Sequence, residues 1–182
     1  MRYIINCRLK GPVERYQKRL VNEIADKFNL TLTKEENLDT HFTLKYSFET
    51  NNIEEIEKLC KNFCEKNKKS KVKVGTFSGF KPHVIFINVN LSKEAKDIFS
   101  KFIKELKKIK WMEWDQYDAE NLHFHSTIAE NCNDKYQKVM NFLENKEQIF
   151  ECFFDNITIL KLVSGNSSFG KWKKHKTFLF QS

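Results

Sequence analysis

The sequence is poor in the residues that divide chains into loops and modules. It has only 5 Gly and 2 Pro among 182 residues, and no Ser/Pro-rich or repetitive stretch. Linkers and disordered segments are usually rich in these residues. A chain of this length can bury a core of its own. We therefore expect a single domain over residues 1–182.

Long apolar runs and paired cysteine motifs are also missing. The apolar run in residues 1–7 is too short for the core of a signal peptide, and no stretch approaches the roughly 20 apolar residues that cross a bilayer. The five cysteines are an odd number without a CxxC pair or a Cys/His ladder. These features predict reduced, mostly buried thiols, a cytoplasmic location and no membrane partner.

Positive charge exceeds negative charge. The chain has 32 Lys and Arg against 24 Asp and Glu, a net charge of +8, which favours an anionic partner. Many of the lysines, such as Lys101 and Lys104, fall on predicted helix surfaces, where they solvate as well as they bind. Charge alone therefore does not separate a nucleic-acid binder from a well-solvated protein.

Two short strings repeat one pattern: His-Phe-Thr-Leu at 41–44 and His-Ser-Thr-Ile at 125–128. In a β-strand, residues two positions apart share a face, so each string can present an imidazole and a hydroxyl together. Two such strands in one cleft supply two groups that titrate near neutrality, with hydroxyls to hold an anion. This combination is suited to cleaving a phosphoester without a metal.

The predicted secondary structure places the two motifs at equivalent positions of a repeated unit. In both halves the motif lies on the second strand, after the first helix. We therefore predict an α+β fold of two pseudo-duplicated β-α-β-α-β lobes, roughly 1–80 and 81–182, with mainly antiparallel sheets and a central cleft where His41 and His125 face each other. The predicted strands are 3–9, 38–48, 72–77, 84–89, 122–129, 153–163 and 177–180, and the predicted helices are 13–28, 53–63, 95–109 and 136–143.

On these motifs the chain resembles the 2H phosphoesterase superfamily, also called LigT-like or 2′-5′ RNA ligase-like. The stretch from 162–164 through 170–172 is also similar to the family's C-terminal pattern. The resemblance implies metal-independent chemistry, with no cofactor, on RNA ends or small nucleotides that carry a 2′,3′-cyclic phosphate or a 2′-5′ linkage. Hydrolysis is the commoner activity in the family. We expect a monomer.

The resemblance also implies roles for the motif residues. His41 would protonate the leaving ribose oxygen, and His125 would activate water. Thr43 and Thr127 would donate hydrogen bonds to the phosphoryl oxygens, where negative charge builds in the transition state. The sequence alone leaves open which histidine is the acid and which the base.

Lys45 and Trp172 are candidates for further contacts in the cleft. Strand alternation puts Lys45 on the face of His41, although an exposed strand end is the default for a lysine. Trp172 lies in a predicted lysine-rich loop, where it could stack on a base or anchor the last strand.

The remaining histidines offer one rival site. His123 shares the predicted face of His125, so it is a candidate cleft residue. With His41, these two could form a three-histidine zinc site, since imidazoles two apart on a strand can reach one ion. We nevertheless predict no metal. His83 and His175 are predicted to lie outside the site.

Two functions from different classes remain open at this point. The first is a 2H-type phosphodiesterase. The second is a nucleotide- or RNA-binding module of the same fold without significant turnover. The presence of both histidines and both threonines favours the enzyme, because a binder has no need of two proton-transfer groups.

Overall fold

The computed structural model describes residues 1–165 and 170–181, and their strands form two four-stranded sheets. The strands are β1 (Arg2–Arg8), β2 (His41–Glu49), β3 (Ser70–Phe80), β4 (Val84–Leu91), β5 (His125–Ala129), β6 (Phe150–Phe154), β7 (Asn156–Ser164) and β8 (Lys171–Leu179). The helices are α1 (Pro12–Phe28), α2 (Leu32–Glu36), α3 (Ile53–Cys64), α4 (Lys93–Leu106) and α5 (Tyr136–Leu143), with 3₁₀ turns at Ala119–Asn121 and Asn133–Lys135.

The two sheets place both motif strands at an edge. The first sheet has the order β2-β1-β7-β8 and the second β5-β4-β3-β6, and every strand pair within them is antiparallel. Strands β2 and β5, which carry the motifs, contact each other across the gap between the sheets. This arrangement confirms the predicted α+β fold with two pseudo-duplicated lobes.

The lobes are not successive halves of the chain, however. Strand β3 forms a hairpin with β4 and lies in the second sheet, although it precedes residue 80. Strands β7 and β8 return to the first sheet beside β1. The expected division at 80/81 is therefore wrong for the sheets, because antiparallel hairpin pairing joins β3 to the strand that follows it.

One predicted strand is two strands in different sheets. The run 153–163 divides at Asp155, since β6 pairs with β3 and β7 pairs with β1. Asn156 is fully buried at the division, and its side chain accepts from the backbone N–H of Arg8 at 3.0 Å and donates to the Arg8 carbonyl at 2.8 Å. The amide thereby satisfies backbone groups at the end of β1 that would otherwise be costly to bury.

Two further expectations at the ends of elements are corrected. The predicted loop at 171–174 is the start of β8, paired with β7, and the short helix α2 has no counterpart in the prediction. Residues 166–169 of the C-terminal pattern lie outside the described residues.

The helices cover the sheets with apolar faces. Helix α1 packs against β5 and β6, α3 against β7 and β8, and α4 against β3 and β4. Ser92 caps α4 as its sequence predicts, accepting from the backbone N–H of Ala95 at 3.2 Å. No helix within the described ranges has the combination of length and apolar character that a bilayer crossing needs.

The core is continuous behind the two motif strands. Phe42, the second residue of the first motif, is fully buried on the side opposite His41. Its ring meets Phe124 and Phe154 edge-on, with centroids 5.9 and 5.8 Å apart. Edge-to-face aromatic packing therefore links the strand of one motif directly to the residue before the other, and it fixes the spacing of the cleft walls.

The predicted state of the thiols is confirmed. All five cysteines are unpaired, four of them are buried, and Cys152 is partly exposed. Burial raises the pKa of the Cys64 thiol to about 12 and that of Cys132 to about 11. The buried thiols therefore behave as small apolar groups rather than nucleophiles.

Candidate active site

A cleft of about 520 Å³ opens between the edges of the two sheets. The residues between the histidine and the threonine of each motif, Phe42 and Ser126, are buried, so strand alternation turns the other two side chains outwards. The structure brings together in this cleft the four residues that the motifs predict: His41, Thr43, His125 and Thr127.

The two histidines are held by the same local hydrogen bond. Nδ1 of His41 lies 2.6 Å from the backbone carbonyl oxygen of Asp39, and Nδ1 of His125 lies 2.7 Å from that of His123. A carbonyl only accepts, so Nδ1 carries the hydrogen in both rings. Nε2 of each neutral imidazole is then an acceptor, and it has no hydrogen-bond partner among the described residues.

The surroundings of the two rings differ in charge. Burial lowers the pKa of His41, while the backbone carbonyl and the carboxylate of Asp39 oppose that shift and Arg8 adds to it. Burial lowers the pKa of His125 to about 4, and the nearby charges of His123 and His41 lower it further. His41 has a carboxylate beside it, so its surroundings favour the imidazolium more than those of His125 do.

Two phenyl rings support His125. Phe86 is buried with its ring centroid 4.6 Å from that of His125, and Phe80, 47% exposed, lies edge-on at 5.3 Å. His123 packs on the same two rings, and its Nε2 lies 3.3 Å from Oδ1 of Asn88. His123 is exposed and does not line the cleft, contrary to the prediction.

The rival zinc site does not fit this arrangement. A three-histidine site needs His123 to turn towards His41, whereas the ring stacks outside the cleft. Among the residues that the structure describes, no three His, Cys, Asp or Glu side chains are grouped so that they could hold a metal ion.

Lys45 is also absent from the cleft, because a bulge interrupts the alternation of β2. Thr43 pairs with Asn6, but Ile5 pairs with Lys45, so one extra residue enters β2 between them. From that point the faces exchange: Lys45 turns into the core and Tyr46 lines the cleft. The predicted contact of Lys45 with a ligand is therefore wrong.

Lys45 forms a buried ion pair instead. Its Nζ lies 2.6 Å from Oδ2 of Asp118, and each side chain is only 1% exposed. Asp118 also accepts from the backbone N–H groups of Tyr46 and Asp115, both at 2.8 Å. This network ties the segment before β5 to the strand that carries His41.

Gln17 is a cleft residue that the motif search missed. It lies on the buried face of α1, where its amide nitrogen donates to the Thr127 carbonyl at 2.9 Å and its amide oxygen accepts from the Ser126 hydroxyl at 2.8 Å. Since β5 is an edge strand, Gln17 supplies the bonds that a neighbouring strand would. Its place in the apolar stripe of α1, beside Leu20, is the signal that could have revealed it.

The structure also assigns places to the remaining predicted residues. Trp172 lines the cleft, as predicted, and so does His83, which was expected to lie outside it. His83 Nδ1 is 3.1 Å from Oδ1 of Asn133. His175 lies away from the cleft, as expected, with its Nε2 2.7 Å from a carboxylate oxygen of Glu57.

The cleft also holds two carboxyl groups, Glu36 and Glu130. Burial, with the charge of Glu130, raises the pKa of Glu36 to about 7, and burial raises that of Glu130. The wall they share is therefore less negative at neutral pH than two free carboxylates would be, which favours an anionic ligand.

Sequence comparison identifies the family. A family model described as the 2′-5′ RNA ligase superfamily matches residues 12–166. The chain belongs to this superfamily. Its members are 2H phosphoesterases, and membership supports a phosphoesterase-type activity at the paired histidines. No curated protein sequence matches the chain.

Solved structures of the superfamily share the fold. The chain is similar to E. coli LigT complexed with 3′-AMP, with a TM-score of 0.64 and 8% identity over 100% of this chain and 98% of that one. It is similar to TT0787 of Thermus thermophilus, with a TM-score of 0.60 and 13% identity over 99% and 98%. Usb1 of Kluyveromyces marxianus gives 0.50 and 12% identity over 87% and 92%. At these identities the likeness concerns the fold alone.

Proposed function

We propose that the protein is a metal-independent phosphodiesterase that hydrolyses 2′,3′-cyclic phosphates or 2′-5′ linkages of RNA ends or nucleotides. The observation that carries this proposal is the pair His41 and His125, one from each sheet, both lining a single cleft with Nε2 unpartnered and Nδ1 fixed on a backbone carbonyl.

The geometry supports a division of labour between the histidines. Displacement at phosphorus places the attacking and leaving oxygens roughly in line on opposite sides, and the two histidines come from opposite walls. His125 is held neutral, so its Nε2 takes the proton of the attacking water. His41, beside Asp39, gives a proton to the ribose oxygen as its bond to phosphorus breaks. The product is a phosphate monoester with a free ribose hydroxyl.

Thr43 and Thr127 complete the proposed site. Each lies two residues beyond a histidine on the same strand face, so its hydroxyl reaches the space between the imidazoles. Hydrogen bonds from these hydroxyls to the phosphoryl oxygens strengthen as negative charge develops there.

The size of the cleft and the superfamily support a nucleotide or RNA partner. A volume of about 520 Å³ lies within the range of roughly 300–1,000 Å³ usual for small-molecule sites. LigT from E. coli has been crystallised with 3′-AMP, ATP and NADP⁺. We propose that the protein acts as a monomer in the cytoplasm, where its five unpaired cysteines would stay reduced.

A hydrolysis panel tests this function. Purified protein, treated with excess chelator, is incubated with the four 2′,3′-cyclic mononucleotides, 2′-5′ linked dinucleotides and RNA that ends in a cyclic phosphate. We expect turnover of at least one class, with the rate preserved after chelation. Saturable binding without turnover across the panel would instead identify a nucleotide-binding module. Activity that disappears on chelation and returns with zinc would contradict the metal-independent mechanism.

A further inference from the structure

A second, smaller pocket of about 220 Å³ adjoins the cleft. The two share Asn37, Leu38, Asp39 and Trp172, so a ligand in the cleft can extend directly into it. We call it the side pocket. Its other walls come from β1, β7 and β8, and they consist of Asn6, Arg8, Leu160, Lys173 and Lys174.

The floor of the side pocket has unsatisfied polar atoms. Asn6 is only 1% exposed, yet its Oδ1 has no hydrogen-bond partner among the described residues. Nε of Arg8 is likewise buried without a partner, although another nitrogen of its guanidinium pairs with Asp39 at 2.8 Å. Buried polar groups are nearly always hydrogen-bonded, and leaving one unpaired is costly. The two atoms therefore await a ligand group.

A hydroxyl is the group that matches both atoms. It can donate to Oδ1 of Asn6 and accept from Nε of Arg8, and it also suits the Asn6 amide if oxygen and nitrogen are exchanged. A phosphate oxygen only accepts and would leave Oδ1 unpaired. On an RNA strand, the hydroxyl available for such a contact is the ribose 2′-OH.

The rim of the side pocket provides the positive charge. In the main cleft, Lys18 and Lys34 are each paired with a carboxylate at 2.8 Å. Lys173 and Lys174, by contrast, have no ion-pair partner among the described residues. Two adjacent unpaired lysines at an exposed rim suit a backbone phosphate, while Trp172, at the junction of the two pockets, offers a ring for a base.

We propose that the side pocket binds the ribonucleotide next to the reacting one in an RNA strand. Its 2′-hydroxyl bonds to Asn6 and Arg8, and its phosphate lies against Lys173 and Lys174. This inference rests on the proposed function and narrows it: the preferred substrate is an oligoribonucleotide end rather than a mononucleotide.

Changing the ligand tests the ribose contact without disturbing the fold. Two trinucleotides are compared, both with a ribose 2′,3′-cyclic phosphate at the end, one with ribose and the other with deoxyribose at the penultimate position. We expect kcat/KM to be about tenfold higher for the all-ribose form, since an unpaired buried group costs several-fold or more. The same pair with a non-reactive 3′-phosphate end, labelled for fluorescence anisotropy, should show the same preference in Kd.

Changing the rim tests the phosphate contact. Each lost lysine contact on a single strand reduces the slope of log K against log salt by about 0.7. The K173Q/K174Q variant should therefore lower the slope for the labelled trinucleotide by about 1.4, and it should weaken the trinucleotide at least fivefold more than a mononucleotide. The matched control K101Q/K104Q removes the same charge from the exposed face of α4, and it should retain the wild-type slope.

The binding arm separates failure of this inference from failure of the proposed function. Ribose preference in Kd with no turnover of any cyclic end would leave the side pocket standing and remove the enzyme. Equal affinity for the ribose and deoxyribose trinucleotides, or an unchanged salt slope in K173Q/K174Q, would overturn the side-pocket assignment even if turnover is observed.

Discussion

The buried ion pair between Lys45 and Asp118 predicts a large loss of stability on removal of the carboxylate. In D118N, the ammonium of Lys45 stays buried with only the Tyr46 carbonyl at 3.2 Å and the Trp114 ring at 5.1 Å. Breaking such a pair costs about 3–5 kcal/mol. For a chain of this size we expect the Tm to fall by about 6–20 °C.

The reverse change should cost less. In K45M, Asp118 keeps two backbone N–H donors, at 2.8 Å each, so we expect a loss of about 2–3 kcal/mol, the range of a hydrogen bond to a charged group. The double variant K45M/D118N has no buried charge. It should be more stable than D118N by about 2 kcal/mol, and this difference measures the coupling.

A surface pair of the same length provides the control. Lys108 and Glu105 are also 2.6 Å apart, but their side chains are 69% and 43% exposed, so K108M should cost about 0.5 kcal/mol or less. Urea unfolding followed by circular dichroism measures all four variants. If D118N loses no more stability than K108M, burial of the pair does not determine its energetic role and the reasoning fails.

Three further predictions concern the cleft. Since burial lowers the pKa of both histidines and that of His125 to about 4, kcat/KM should rise as pH passes about 4 and fall again below pH 6.5 as His41 loses its proton; a profile still flat at pH 8 would contradict this assignment. The depressed pKa of His125 also means that the unfolded state binds its proton first, so stability should decline as pH falls from about 6.5 to 4, and less so in His125→Gln. Replacing Thr43 or Thr127 by Val should lower kcat by about 10- to 100-fold, with serine restoring most of it; equal loss of substrate affinity and no change in kcat would refute transition-state stabilisation. Gln17→Leu leaves two groups on β5 unpaired, so we expect it to destabilise the protein by about 2 kcal/mol; unchanged unfolding would show that water replaces the amide.

Much of the fold follows from local periodicity. The apolar stripe of α1 and the alternation in 41–44 and 125–128 depend only on neighbouring residues, so their faces could be predicted. The division of 153–163 between two sheets could not, because pairing of β6 with β3 and of β7 with β1 joins residues far apart in sequence.

The errors at the candidate site have one common cause. Lys45 was predicted from regular alternation, which fails at the bulge opposite Ile5 and Asn6, and a bulge leaves no clear mark in one strand's sequence. His83 lines the cleft through the hairpin between β3 and β4, a tertiary position that its own neighbours in sequence do not specify.

Turnover of a 2′,3′-cyclic phosphate substrate by H41A, H125A and the double variant addresses the paired histidines directly. Each single change should lower kcat/KM by about 10²- to 10⁴-fold, as expected for a positioned acid or base. Because both act in one displacement, the double variant should be little slower than the slower single variant. Circular dichroism should show all three folded, with ligand affinity largely kept. Near-wild-type turnover in both folded single variants would contradict acid–base catalysis by this pair.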